Sequence, residues 1–145
     1  GELLGWHDHI KRCCIADLVL DTSICSGIAT SCDVLWSATP MISMAGDRMS
    51  NRIGASLLKI VGLDDLIADD LAAYKALALR INRDEEFFIG IIRKLETARS
   101  ESTLFDTEKW IIDYELGLKE ALRNFDNGHD PQHIFCRKLT LDNDS

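Results

Sequence analysis

Three runs of sequence decide the fold. Ile15-Ala16-Asp17-Leu18-Val19-Leu20-Asp21-Thr22 leads into the loop Ser23-Ile24-Cys25-Ser26-Gly27-Ile28-Ala29. Thr30-Ser31-Cys32-Asp33-Val34-Leu35-Trp36 comes next, and Pro40-Met41-Ile42-Ser43-Met44-Ala45-Gly46 follows. The order reads as buried strand, glycine-containing loop, helix start and second buried strand. Leu18-Val19-Leu20 is apolar on both faces, as a central parallel strand is. Thr30 or Ser31 is the expected N-cap of the helix, with Asp33 in its first turn. Pro40 stops that helix, and Met41–Met44 is expected to pair parallel to Leu18–Leu20. A loop that leaves a parallel strand and opens a helix is where α/β folds place nucleotides and phosphates.

Outward from this unit the pattern turns helical. His9 to Cys14 reads as a short helix or turn carrying Lys11 and Arg12. Asp47 or Ser50 is expected to cap a helix ending near Val61, with Ile53, Leu57, Leu58, Ile60 and Val61 on its apolar face and Gly62 at C′. Leu66-Ile67-Ala68 is a brief extended stretch. Asp69 or Asp70 starts a helix with Leu71, Tyr74, Leu77, Ala78 and Ile81 on one stripe. Asp84 starts another, with Phe87, Phe88, Ile91, Ile92 and Leu95. Ser100 to Thr103 reads as a loop. Asp106 or Thr107 opens a long amphipathic helix through Trp110, Ile111, Tyr114, Leu118, Leu122 and Phe125 that Gly128 ends. From His129 the tail is polar, with fraying expected. These divisions give an α/β lobe over 1–98, a C-terminal helical extension packing on it over 99–128, and a tail over 129–145.

A chain of 145 residues is one domain by length. With 46% hydrophobic and 28% charged residues it is globular. A net charge of -8 argues against broad nucleic-acid binding and against an anionic membrane surface. No apolar run approaches the ~18 residues of a membrane span. The five cysteines (13, 14, 25, 32 and 136) are odd in number and contain no CxxC pair, so they read as reduced, buried thiols of a cytosolic protein. Only two good strands are visible and Gly1 opens the chain, which together suggest the C-terminal piece of a longer protein.

Within the loop, Gly27 permits close backbone approach or a positive φ. Amides at the helix start suit a diphosphate, and Asp33 suits a ribose diol. The bland alternative has Gly27 making a turn and Asp33 complementing the helix dipole. His9 and Arg12 suit a base or sugar, against the alternative of a solvated basic turn. His7-Asp8-His9 and the His129/His133 pair lack the ligand count and spacing of a metal site, and none is expected. No nucleophile elbow, Walker loop or GxGxxG is present. Asp64-Asp65, Asp69-Asp70 and Glu85-Glu86 read as loop and cap residues.

Ala16–Thr22, Cys25-Ser26-Gly27, Thr30, Asp33–Trp36, Thr39-Pro40-Met41 and Arg52–Leu58 together resemble the C-terminal catalytic lobe of the TPR-containing O-linked N-acetylglucosamine transferases. The SPINDLY-type O-fucosyltransferases are close relatives. The match continues through Gly62-Leu63, Leu66-Ile67-Ala68, Tyr74, Leu104–Thr107 and Pro131–Ile134. The resemblance implies a Rossmann-like lobe of a GT-B glycosyltransferase, acting with UDP-N-acetylglucosamine as donor on Ser or Thr hydroxyls of cytoplasmic and nuclear proteins. It implies no metal or other cofactor, because positive charge and helix-start amides stabilise the departing diphosphate. It places the catalytic histidine, much of the acceptor groove and the TPR repeats outside these 145 residues, so no catalytic residue is expected here.

Carried over by position, the resemblance makes His9 and Arg12 uridine contacts and Asp33 the ribose acid. It sets Gly27, Ile28, Ala29 and Thr30 at the diphosphate, with Thr30 matching the second threonine of a Gly-His-Thr-Thr loop. The family's histidine and first threonine are replaced by Ile28 and Ala29, and a phosphate-contacting lysine by Trp6. Each lost contact to a charged oxygen removes ~1.5–3 kcal/mol unless backbone amides replace it. Two alternatives follow: a GDP-fucose-dependent O-fucosyltransferase, and a degenerate homologue acting as a scaffold.

Overall fold

The computed structural model describes residues 5–134, so Cys136 and most of the polar tail lie outside the described residues. The chain forms two compact units, which divide between Phe105 and Asp106. The first is an α/β unit built on a parallel sheet in the order β1-β2-β3, with β1 at Val19–Leu20, β2 at Met41–Met44 and β3 at Ile67–Ala68. Val19 faces Met41 and Leu20 faces Ile42, so the parallel pairing expected of these runs is present. Ser43 faces Ile67 and Met44 faces Ala68.

Two strand readings need correction. The brief stretch Ile67–Ala68 is a third strand; two residues after a 3-10 turn are too few to show a period of two. The central strand is β2, whose Met41, Ile42 and Ser43 are all fully buried. β1 lies at the edge of the described sheet, and Leu20 is 56% exposed, so an apolar triplet did not mean burial on both faces.

Helix α1 spans Trp6–Cys13, starting three residues before the expected His9. α2 spans Ala29–Trp36 and starts at an uncapped Ile28; neither Thr30 nor Ser31 caps it, because both already lie inside its first turn. Asp33 is therefore in the second turn. A 3-10 turn at Met49–Asn51 precedes α3, Ile53–Ile60, so neither Asp47 nor Ser50 caps α3. Gly62 follows α3 with φ +73°, a conformation that glycine adopts without a Cβ penalty. Helices α4 (Leu71–Arg83) and α5 (Glu85–Glu101) are capped as expected. Asp70 accepts from Ala73 N at 2.7 Å, and Asp84 accepts from Phe87 N at 3.0 Å. α5 runs on through Ser100 to Glu101, residues read from the sequence as loop.

The core joins Leu35 of α2, Met41 and Ile42 of β2, Leu58 of α3, Leu63, Leu66 and Leu95 of α5, all at most 2% exposed. Residues of the expected apolar faces that lie outside it include Ile60, 47% exposed, Leu71, 72% exposed, and the exposed stripe Trp110, Ile111, Tyr114, Leu118, Leu122 and Phe125. α2 is fixed at its C-terminal end. Arg99 Nε donates to the Trp36 carbonyl at 2.6 Å, where a cation also complements the helix dipole, and Trp36 meets Phe105 edge-on at 5.0 Å. Thr39 Oγ1 donates to the Cys13 carbonyl at 2.9 Å, which fastens the end of α1 beside α2.

The second unit begins with α6, Thr107–Asp126, whose N-cap Asp106 accepts from Lys109 N at 2.9 Å. Trp110 and Tyr114 stack along it at 5.1 Å.

Candidate functional site

The loop between β1 and α2 leaves the carboxyl end of the sheet. Ile28, Ala29 and Thr30 are exposed there, and Ile28 is 62% exposed. With an isoleucine at the N-cap, no side chain accepts from the first-turn amides of α2. Those amides and the helix dipole make a surface that favours an anion. Gly27 does not use a positive φ; its role is close approach, since a Cβ there would stand 2.8 Å from Ser31 Oγ. Ser26 N donates to the Ser50 carbonyl at 2.8 Å, joining this loop to the one after β2. Ser26 Oγ is buried without a hydrogen-bond partner among the described residues.

Three residues separated in sequence come together beside this loop. His9 Nε2 lies 3.2 Å from Asp33 Oδ2, and Arg12 donates to His9 Nδ1 at 2.9 Å. A guanidinium can only donate, so Nδ1 is the acceptor and the hydrogen sits on Nε2, directed at Asp33. Arg12 thus orients the imidazole, and the imidazole orients the carboxylate. Among the described residues Asp33 Oδ2 has one hydrogen-bond partner and Oδ1 none, so the carboxylate keeps acceptor capacity for a diol. Trp6 stands one turn before His9 on α1, 55% exposed, edge-on to His7 at 5.1 Å.

The cysteines expected to be buried are not: Cys14 and Cys25 are exposed, and the partly buried Cys13 and Cys32 border this group. Cys13 Sγ is 3.8 Å from His9 Nε2. Burial first, and then the charge of Asp33, push the Cys13 and Cys32 thiols above their ordinary range. A thiol held protonated is a poor nucleophile, and Nε2 already serves Asp33, so the group is not a Cys-His catalytic pair. Among the described residues no cluster of three or more His, Cys, Asp and Glu has the geometry of a metal site.

Asp21, the residue after β1, is a junction. It is 9% exposed; Oδ1 accepts from Gly27 N at 3.2 Å and Oδ2 from Ser43 Oγ at 2.6 Å. Tyr74 Oη donates to the Asp21 carbonyl at 2.7 Å. A polar Ser43 inside the apolar run of β2 was the one sequence signal that a buried partner existed.

Sheet, helices and loop together form the Rossmann-like lobe of a glycosyltransferase. More narrowly, residues 3–114 match the model of Glycosyl transferase family 41, and the chain belongs to that family. It is 32% identical over 127 residues to the UDP-N-acetylglucosamine--peptide N-acetylglucosaminyltransferase of Caenorhabditis elegans, covering 88% of this chain and 11% of that protein. It is 33% identical over 130 residues to the probable enzyme SEC of Arabidopsis thaliana, covering 88% of this chain and 13% of that protein. A probable enzyme of the same description, SPINDLY from Eustoma exaltatum, is 32% identical over 125 residues, covering 86% of this chain and 14% of its own length. A mutant of the Thermobaculum terrenum O-GlcNAc transferase superposes with a TM-score of 0.68 at 26% identity, over 83% of this chain and 22% of that one. The chain therefore spans roughly one eighth of the length of these curated relatives.

Proposed function

We propose that this chain is the donor-nucleotide part of a protein O-N-acetylglucosaminyltransferase. In this reading Asp33 accepts from the ribose hydroxyls, His9 and Arg12 meet the uracil and sugar, and the amides from Gly27 to Thr30 hold the diphosphate of UDP-N-acetylglucosamine. The acceptors would be Ser and Thr hydroxyls of cytoplasmic and nuclear proteins. As the diphosphate leaves, helix-start amides would stabilise its charge without a metal. Catalytic, acceptor-binding and TPR functions are assigned to no residue of this segment.

The supporting observation is the assembly of Arg12, His9 and Asp33 in one hydrogen-bonded line beside the uncapped start of α2. Titration calorimetry of the 145-residue chain with UDP and GDP tests the reading. UDP binding with at least tenfold preference over GDP is expected. A preference for GDP would instead indicate a fucosyl donor. Binding of neither would leave a scaffold, in keeping with an exposed isoleucine at position 28.

A further inference from the structure

We propose that Asp21 is a positioning residue that sets the diphosphate-binding geometry of the loop before α2; the inference rests on the donor reading above. Among the described residues Asp21 takes part in no ion pair. A carboxylate buried without a cation costs stability that an apolar side chain of similar volume does not. What the apolar side chain lacks is a hold on the Gly27 N–H.

The geometry around Asp21 is closed on every side. Its two carboxylate oxygens join Gly27 of the loop to Ser43 of the fully buried central strand. Gly54, the second residue of α3, closes over it so tightly that a Cβ there would collide with Oδ2 and stand 2.6 Å from Ser43 Oγ. Tyr74 of α4 pins the Asp21 carbonyl from another side. A junction this constrained leaves the carboxylate little freedom, so Gly27 N is held at a set point. Gly27 is two residues before Ala29, where α2 begins, so that point governs where the exposed amides of Ile28, Ala29 and Thr30 aim. The tether reaches neither His9 nor Asp33, so its influence falls on the phosphate end and spares the nucleoside end.

The test compares UDP with uridine on the full chain, wild type against Asp21→Ala, Asp21→Asn and Ser43→Ala. Amide hydrogen exchange at Gly27 is followed by NMR in parallel. Asp21→Ala is expected to weaken UDP at least tenfold, to leave uridine within about twofold, and to speed Gly27 exchange at least tenfold. Asp21→Asn keeps an acceptor for Gly27 N and is expected to restore UDP affinity to within about threefold of wild type. Equal losses for UDP and uridine, or a lower melting temperature with an unchanged affinity ratio, would overturn the proposal. Should Asp21→Ala fail to fold, Asp21→Ser, whose hydroxyl is too short to reach Gly27, takes its place with the same expectations. If the wild type binds neither ligand, the donor reading fails, and the Gly27 exchange rate alone judges the tether.

Discussion

His9 and Asp33 lie 24 residues apart in sequence, on two different helices, and meet at 3.2 Å. The pair is not there for stability: its side chains are 26% and 30% exposed, and such pairs contribute about 0.2–1 kcal/mol. Its consequence is that Asp33 is oriented through Oδ2, with Oδ1 unpartnered among the described residues. Asp33→Ala is therefore expected to weaken UDP at least tenfold while changing stability by no more than about 1 kcal/mol. His9→Ala is expected to weaken UDP less. The two losses are expected to be non-additive in the double variant, because both remove the same hydrogen bond. Calorimetric titration and thermal melts measure both quantities, and an unchanged affinity in Asp33→Ala would end the ribose assignment.

The thiols report on the same carboxylate. Cys14 and Cys25 are exposed, whereas Cys13 and Cys32 are partly buried with their thiols pushed upward by burial and then by Asp33. At neutral pH a raised thiol holds less thiolate, the form that attacks iodoacetamide. Peptide mass spectrometry over a time course is expected to find Cys14 and Cys25 alkylated before Cys13 and Cys32. Asp33→Asn removes the second cause, so Cys32 is expected to react faster in that variant than in wild type. Equal rates at Cys32 in the two proteins would mean that burial alone controls it.

The helix caps show what the sequence made legible. Asp70, Asp84 and Asp106 each precede a clear apolar stripe and each accepts from an amide three residues on, a local relationship. The start of α2 departs from the expected one for an equally local reason: Thr30 and Ser31 have capping side chains, but Cys32 N donates to the Ile28 carbonyl at 3.1 Å and draws the helix back to Ala29. β2 was legible as four apolar-run residues before a glycine turn, while two-residue β3 had no period to read. Within the site, the resemblance named His9, Arg12 and Asp33 one by one, but their line of hydrogen bonds spans two helices and has no spacing signature. Asp21 was hidden because its partners Gly27, Ser43 and Tyr74 lie 6, 22 and 53 residues away.

Tyr74 gives the junction a pH signature. Burial first, and the charge of Asp21 second, raise its phenol above the ordinary 10.0. In the unfolded chain the phenol ionises near 10.0, in the folded chain at a higher pH. Across that interval the folded state keeps a proton that the unfolded state has released, so stability falls as pH rises. The contribution is fully present below pH 10.0 and is lost as pH climbs through the folded value. Tyr74→Phe removes the 2.7 Å hydrogen bond to the Asp21 carbonyl and is expected to cost about 1 kcal/mol at neutral pH. Above pH 10.0 the variant is expected to lose stability less steeply than wild type. Urea titrations on both sides of that pH provide the measurement, and parallel alkaline declines would assign the loss to another group.

Ile28 and Ala29 occupy the exposed start of α2, where the resemblance places a histidine and a threonine. Neither side chain present here donates a hydrogen bond, so a diphosphate at this point is left with the backbone amides and the Thr30 hydroxyl. Each donor to a charged oxygen is worth about 1.5–3 kcal/mol. Both positions already face solvent, so larger polar side chains meet no packing penalty there. Ile28→His with Ala29→Thr is therefore expected to tighten UDP at least tenfold and to leave uridine unchanged, since the gain falls on phosphate oxygens. The melting temperature without ligand is expected to stay within a few degrees of wild type, because neither residue belongs to the core. Calorimetry with the two ligands separates the outcomes. A double variant that binds UDP no better than wild type would show that the amides already saturate the diphosphate, or that the diphosphate lies elsewhere.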